Sequence, residues 1–130
     1  PEPKYCMTEY LALVNITGTT IDSHKRYFSY KLIRDISPPN QKNGFTLARW
    51  NSFETATSSA ACGVEQLQGK VLIGGRYTAE TGRPHIHICS SYIEHWDKLG
   101  SIESEERLLT LDSDCRRFRA GEVVHPHVDA

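Results

Sequence analysis

A chain of 130 residues with 15 Lys plus Arg against 16 Asp plus Glu carries no overall field that would draw in nucleic acid or an anionic membrane. Its length suits one domain, residues 1–130, built on one core, and no apolar run approaches the roughly 20 residues that a membrane insertion needs. The opening "PEPKYC" does not read as a signal peptide, so a secreted chain of this sequence is expected to have lost its leader already.

From Glu9 to Thr17, "EYLALVNIT" is rich in apolar and β-branched residues and stops at Gly18, which predicts a first strand. Asn15-Ile16-Thr17 within it is an N-glycosylation sequon, making Asn15 the candidate glycan acceptor of a secreted protein. His24 to Ile36 predicts a second strand, with Tyr27, Ser29, Lys31 and Ile33 alternating with Phe28, Tyr30, Leu32 and Arg34. "SPPNQKNG", Ser37 to Gly44, ends it, because consecutive prolines forbid a ladder and Asn43-Gly44 favours a turn. A third strand falls between Phe45 and Thr55, followed by the small-residue loop "ATSSAACG".

"KVLIGGRY", Lys70 to Tyr77, predicts a fourth strand whose paired glycines suggest a bulge or sharp bend. "TAETGRP" turns the chain, and His85 to Tyr92 is read as a fifth strand. Between Trp96 and Thr110 the period becomes helical: Leu99, Ile102, Glu106 and Leu109 share the spacing, Ser101 is a plausible N-cap, and Glu103 and Glu105 suit the first turn. A basic run, "CRRFR", and a polar tail, "HPHVDA", close the sequence. Five strands and a helix near the C-terminus predict a mainly β chain, a small five-stranded OB-like β-barrel with a flanking C-terminal helix, although a sandwich satisfies the same pattern.

On a fifth strand His85, His87 and Cys89 would share one face and Ile86 and Ile88 the core face. Three alternate ligands of this kind suit zinc, but solvated histidines and a disulfide-bonded cysteine suit the same pattern, and the sequence favours no metal and no cofactor. The four cysteines, Cys6, Cys62, Cys89 and Cys115, form neither a CxxC nor a CxH pair. That argues against a zinc ribbon or a thioredoxin-type site and for structural disulfides in an oxidising compartment.

Catalysis has no support: Ser58 and Ser59 lie outside any GxSxG elbow, and Glu103, Glu105 and Glu106 read as a solvated helix face. Arg116, Arg117 and Arg119 would serve glycosaminoglycan binding, yet Asp112, Asp114 and Glu122 beside them make a solvated surface the better account. Tyr27, Phe28 and Tyr30 with Lys25 and Arg26 offer stacking aromatics to a nucleic acid, but on a strand they read as core or cross-strand pairs. His125 and His127 invite adventitious metal only.

"TATSSAACGVEQLQGKVLIGGRYTAETGRPHIHICSSYIEHWDKL", Thr55 to Leu99, resembles the inhibitory N-terminal domain of the tissue inhibitors of metalloproteinases (TIMPs), part of the netrin-like family. The match is carried by Ser58-Ser59-Ala60 before Cys62-Gly63, by "LIGGRY" and "HIHIC" where the family has similar strands, and by Trp96-Asp97-x-Leu99. "CMTEYLALVNITGT" resembles the family's first strand with its leading cysteine, and "LLTLDSDC" the segment that carries its partner. The resemblance implies a five-stranded OB-like barrel and, by analogy, a Cys6–Cys115 disulfide. It also makes His85 and His87 structural.

TIMPs inhibit by placing the α-amine and carbonyl of a first-residue cysteine on the protease zinc. Here "PEPKYC" precedes that strand, so the chelating Cys-x-Cys is missing and Cys62 and Cys89 lack the family's partners. The two are left to bond each other, to stay free, or to pair elsewhere; the family's close approach of these positions favours a direct bond. The resemblance therefore implies a secreted, extracellular, non-enzymatic module that binds an extracellular or host protein, as small TIMP-like proteins of parasitic nematodes do in a suspected immune-modulating role. The alternative is a metalloproteinase inhibitor that wedges Pro1, Glu2 and Pro3 together with Ser58, Ser59, Ala60, Ala61, Cys62 and Gly63 into the protease cleft.

Overall fold

The structure, a computed structural model, describes residues 3–39 and 44–121. It is mainly β. Six strands, β1 (Tyr10–Asp22), β2 (Lys25–Asp35), β3 (Ser52–Ala56), β4 (Gly69–Tyr77), β5 (Pro84–His85) and β6 (Tyr92–His95), form one sheet, and α1 (Ser101–Arg119) follows. Strands pair in the order β1-β2-β3-β5-β4-β6, and a further β1–β4 pairing joins β1, β2, β3, β5 and β4 into a ring. All contacts are antiparallel except the single parallel pair Glu54–His85 between β3 and β5.

The unbroken apolar run that opens β1 is explained by two cores, one on each face. Alternation sends Tyr10, Ala12, Val14 and Ile16 into the ring, where they meet Phe28, Phe53, Val71, Ile73 and Ile86. Leu11 and Leu13 point the other way, into a second cluster with Tyr5, Leu72, Trp96, Leu108 and Leu111. A strand covered on both faces loses polar alternation, as the sequence shows. Beyond Ile16 only the hairpin with β2 remains, and every residue from Thr17 to Lys25 is exposed. Register shifts at Leu13/Val14 and Ile16/Gly18 interrupt the β1–β2 ladder.

The glycines of β4 do a different job from the one expected. Pairing with β1 runs without a shift through Leu11–Gly74 and Tyr10–Gly75, so neither glycine forms a bulge. They are needed for close approach: a Cβ on Gly75 would stand 2.6 Å from the Tyr10 hydroxyl oxygen and 2.8 Å from the His85 carbonyl oxygen. The space they leave lets the buried Tyr10 hydroxyl donate to that carbonyl at 2.8 Å.

The predicted third strand starts late, at Ser52, because Leu47–Arg49 forms a 3₁₀ turn that seats the buried Leu47 and receives the Tyr30 hydroxyl on the Leu47 carbonyl. The predicted fifth strand is broken in two. The Ile86 amide donates to the Glu54 carbonyl at 2.8 Å, after which the amides of Ser90 and Ser91 both turn back to the His87 carbonyl. Ile86 is therefore fully buried while Ile88, expected beside it in the core, is 59% exposed.

The helix is longer than its apolar spacing suggested and buries another face. Gly100, not Ser101, is the N-cap, and the basic "CRRFR" forms the last turns, where cations suit the helix dipole. Ser104, Leu108, Leu111 and Cys115 face the second core, whereas Ile102 is 75% and Leu109 55% exposed. Two things fix this rotation: the Cys6–Cys115 disulfide, with Cα atoms 5.0 Å apart, and Glu94 of β6. Glu94 accepts from Trp96 Nε1 at 2.9 Å and from the Tyr92 hydroxyl, and it pairs with Arg107 on the helix. No helix among the described residues is long and apolar enough to cross a membrane.

Candidate functional site

Three segments distant in sequence meet near one end of the ring. The first is the N-terminal 3₁₀ turn Lys4–Cys6, held where the Cys6 amide donates to the Pro3 carbonyl at 2.9 Å and by the disulfide to Cys115. Met7 follows it, 53% exposed. The second is the Ser59–Ala61 turn, which Ser58 caps by accepting from the Ala60 amide at 3.1 Å. Cys62 ends this turn at φ 59°, left-handed for a residue with a side chain. Gly63 is obligatory next: a Cβ there would lie 2.0 Å from the Ala56 carbonyl oxygen, so the turn folds flat onto the end of β3.

The third segment is the turn from His87 to Ser91, and it is the hub. The Ile88 amide donates to the Cys62 carbonyl at 2.8 Å, and Cys89 is disulfide-bonded to Cys62 with Cα atoms 5.6 Å apart. Its internal bonding is dense, since the His87 amide donates to Ser91 Oγ at 2.9 Å and His87 Nδ1 lies 3.2 Å from Ser90 Oγ. Between this turn and the N-terminal segment runs a groove of about 540 Å³, lined among others by Lys4, Met7, Arg76, His85, His87 and Cys89. No carboxylate is among the described lining residues, which bring the positive charge of Lys4 and Arg76 to the groove in a chain whose net charge is −1. The His85 imidazole is held below the usual histidine range, chiefly by burial; Glu54 opposes that and Lys25 adds to it.

Of the residues singled out from sequence, Ser58, Ser59, Ala60 and Ala61 are exposed, Cys62 is half-buried and Gly63 is buried. Pro3 is buried as well; Pro1 and Glu2 lie outside the described residues. Asn15 is exposed on β1, in register with Lys31 and Lys70 on its two neighbours. In the arginine run Arg116 and Arg117 are exposed, Arg116 pairing with Asp112 at 3.0 Å, and Arg119 is half-buried. His125 and His127 fall outside the described residues.

Nor do the aromatics of β2 make a stacking platform. Phe28 is fully buried, Tyr30 is locked to Leu47, and Tyr27 lies under the Arg83 guanidinium. Their basic neighbours are engaged too, Lys25 with Glu54 at 3.3 Å and Arg26 with the Val64 carbonyl at 3.1 Å. Sequence reading missed Met7 and Arg76, for which no local pattern exists, since only folding sets them beside His87 and Cys89. The chain matches no protein-family model and no curated protein sequence.

Proposed function

We propose that this chain is a secreted, non-enzymatic netrin-like module, similar to the TIMP inhibitory domain, that binds another extracellular protein through the end of its strand ring. The observation that carries the reading is the junction of the N-terminal turn, the Ser58–Cys62 turn and the His87–Ser91 turn, fastened by two disulfides while Met7 and Ile88 stay more than half exposed. Rigid loops that present apolar side chains lose little entropy on binding, and that makes them suited to recognition. A ring of five strands with one C-terminal helix is also what an OB-like netrin module would need. Two disulfides suit an oxidising, extracellular setting.

The test begins with a titration, N-terminus verified by intact mass, against catalytic domains of several matrix metalloproteinases. Stoichiometric inhibition would replace this reading by the inhibitor alternative, with a zinc-chelating cysteine shown to be dispensable. Without inhibition at micromolar concentration, binding to extracellular proteins is compared between wild type, Ile88→Glu and Ile102→Glu. Loss in the first variant and retention in the second is expected; equal binding by all three would remove this end of the ring as the interaction surface.

A further inference from the structure

The two disulfides differ in what surrounds them. Cys6 and Cys115 are 4% and 0% exposed, sealed in the second core. Cys89 is exposed and Cys62 half-buried, and Cys89 lines the groove beside Lys4, Arg76 and His87, where positive charge favours a thiolate. A reductant therefore reaches the second bond first. The ligand atoms of Cys62, His87 and Cys89 already lie within 4.8 Å of one another.

We propose that reduction of the Cys62–Cys89 disulfide converts this turn into a zinc site with two thiolates and the His87 imidazole as ligands. The inference is independent of any protein partner. A dithiol reductant supplies two electrons and two protons, becoming a disulfide itself while Cys62 and Cys89 become thiols. Zinc then displaces both thiol protons to solvent and takes two sulfurs and one imidazole nitrogen, a ligand set typical of this metal.

Opening the bond does not let the thiols drift apart. The Ile88 amide still donates to the Cys62 carbonyl at 2.8 Å, and Gly63 still donates to Ser58 at 3.0 Å. Ser90 Oγ, 3.2 Å from His87 Nδ1, is placed as the outer partner that fixes the tautomer and leaves Nε2 for the metal. The groove provides the entry path and the fourth position, which water or His85 fills; the His85 and His87 ring centres stand 6.1 Å apart. Protein-bound zinc commonly keeps such a position for water.

The experiment treats the whole chain with a limiting dithiol under anaerobic, native conditions and counts thiols by alkylation and peptide mapping. Cys62 and Cys89 are expected to be labelled and Cys6 and Cys115 protected, with near-ultraviolet dichroism retained. Cobalt(II), as a spectroscopic stand-in for zinc, is then expected to bind one to one with thiolate charge-transfer absorption, absent from the oxidised protein and displaced by zinc. His87→Ala, which leaves the disulfide and the fold intact, should weaken binding at least about tenfold. Labelling of the buried pair first, loss of tertiary dichroism on reduction, no charge-transfer band, or unchanged affinity in His87→Ala would each overturn the proposal.

Discussion

The cost of removing each disulfide follows from loop length and burial. The Cys62–Cys89 bond closes 27 residues, for which the chain-entropy model gives about 3.6 kcal/mol. Cys6–Cys115 spans 109 residues and would be worth about 4.8 kcal/mol alone. The smaller loop is nested within it and shortens the effective span to about 82 residues, which lowers the outer contribution to about 4.5 kcal/mol. Cys115 is fully buried between helix and ring, so Cys6→Ala with Cys115→Ala also empties two sulfur volumes from the second core, about 1–2 kcal/mol more. The expected losses are thus about 6 kcal/mol for the outer pair and about 3.6 for Cys62→Ala with Cys89→Ala, set against a typical domain stability of about 5–15 kcal/mol. Urea unfolding followed by fluorescence of the buried Trp96 and by far-ultraviolet dichroism reads the difference directly. An inner-pair variant as unstable as the outer-pair variant would refute the assignment of the outer bond as the main staple.

Adjacent helix residues provide a second check: Leu108→Ala should cost about 2–5 kcal/mol, while Leu109→Ala, at an exposed position, should stay within about 0.5 kcal/mol in the same unfolding assay. Gly63→Ala must push a methyl into the Ala56 carbonyl, so a loss of at least about 2 kcal/mol and lower yield of the Cys62–Cys89 bond are expected by peptide mapping. For His85 the folded state disfavours the charged imidazole, so the unfolded chain takes up the proton first. Its contribution to stability is complete above the unfolded histidine pKa and declines as pH falls from there through the lower folded value. An NMR titration should place this imidazole below the usual range, and His85→Gln should flatten the loss of urea midpoint between neutral and mildly acid pH.

The strands marked by continuous apolar runs were readable in the sequence. "YLALV" and "VLI" are apolar throughout because β1 and β4 are covered on both faces, and local composition records that burial. The helix was legible as a helix but its buried face was not, since one of the four inward residues, Ser104, does not register as apolar while the exposed Ile102 and Leu109 do. His85 to Tyr92 misled for a related reason. Alternating isoleucines mark a strand only while a neighbour accepts the backbone, and the ladder stops once Ile86 has bonded to Glu54.

The sequence by itself determined the mainly β character, most strand positions, the balanced charge and the presence of four cysteines, because these depend on neighbours along the chain. Tertiary structure decided closure of the ring, the rotation of the helix, the need for glycine at positions 63 and 75, and the meeting of Lys4, Arg76, Cys62, His87 and Cys89. Those are contacts across tens of residues, and a local pattern holds no record of them.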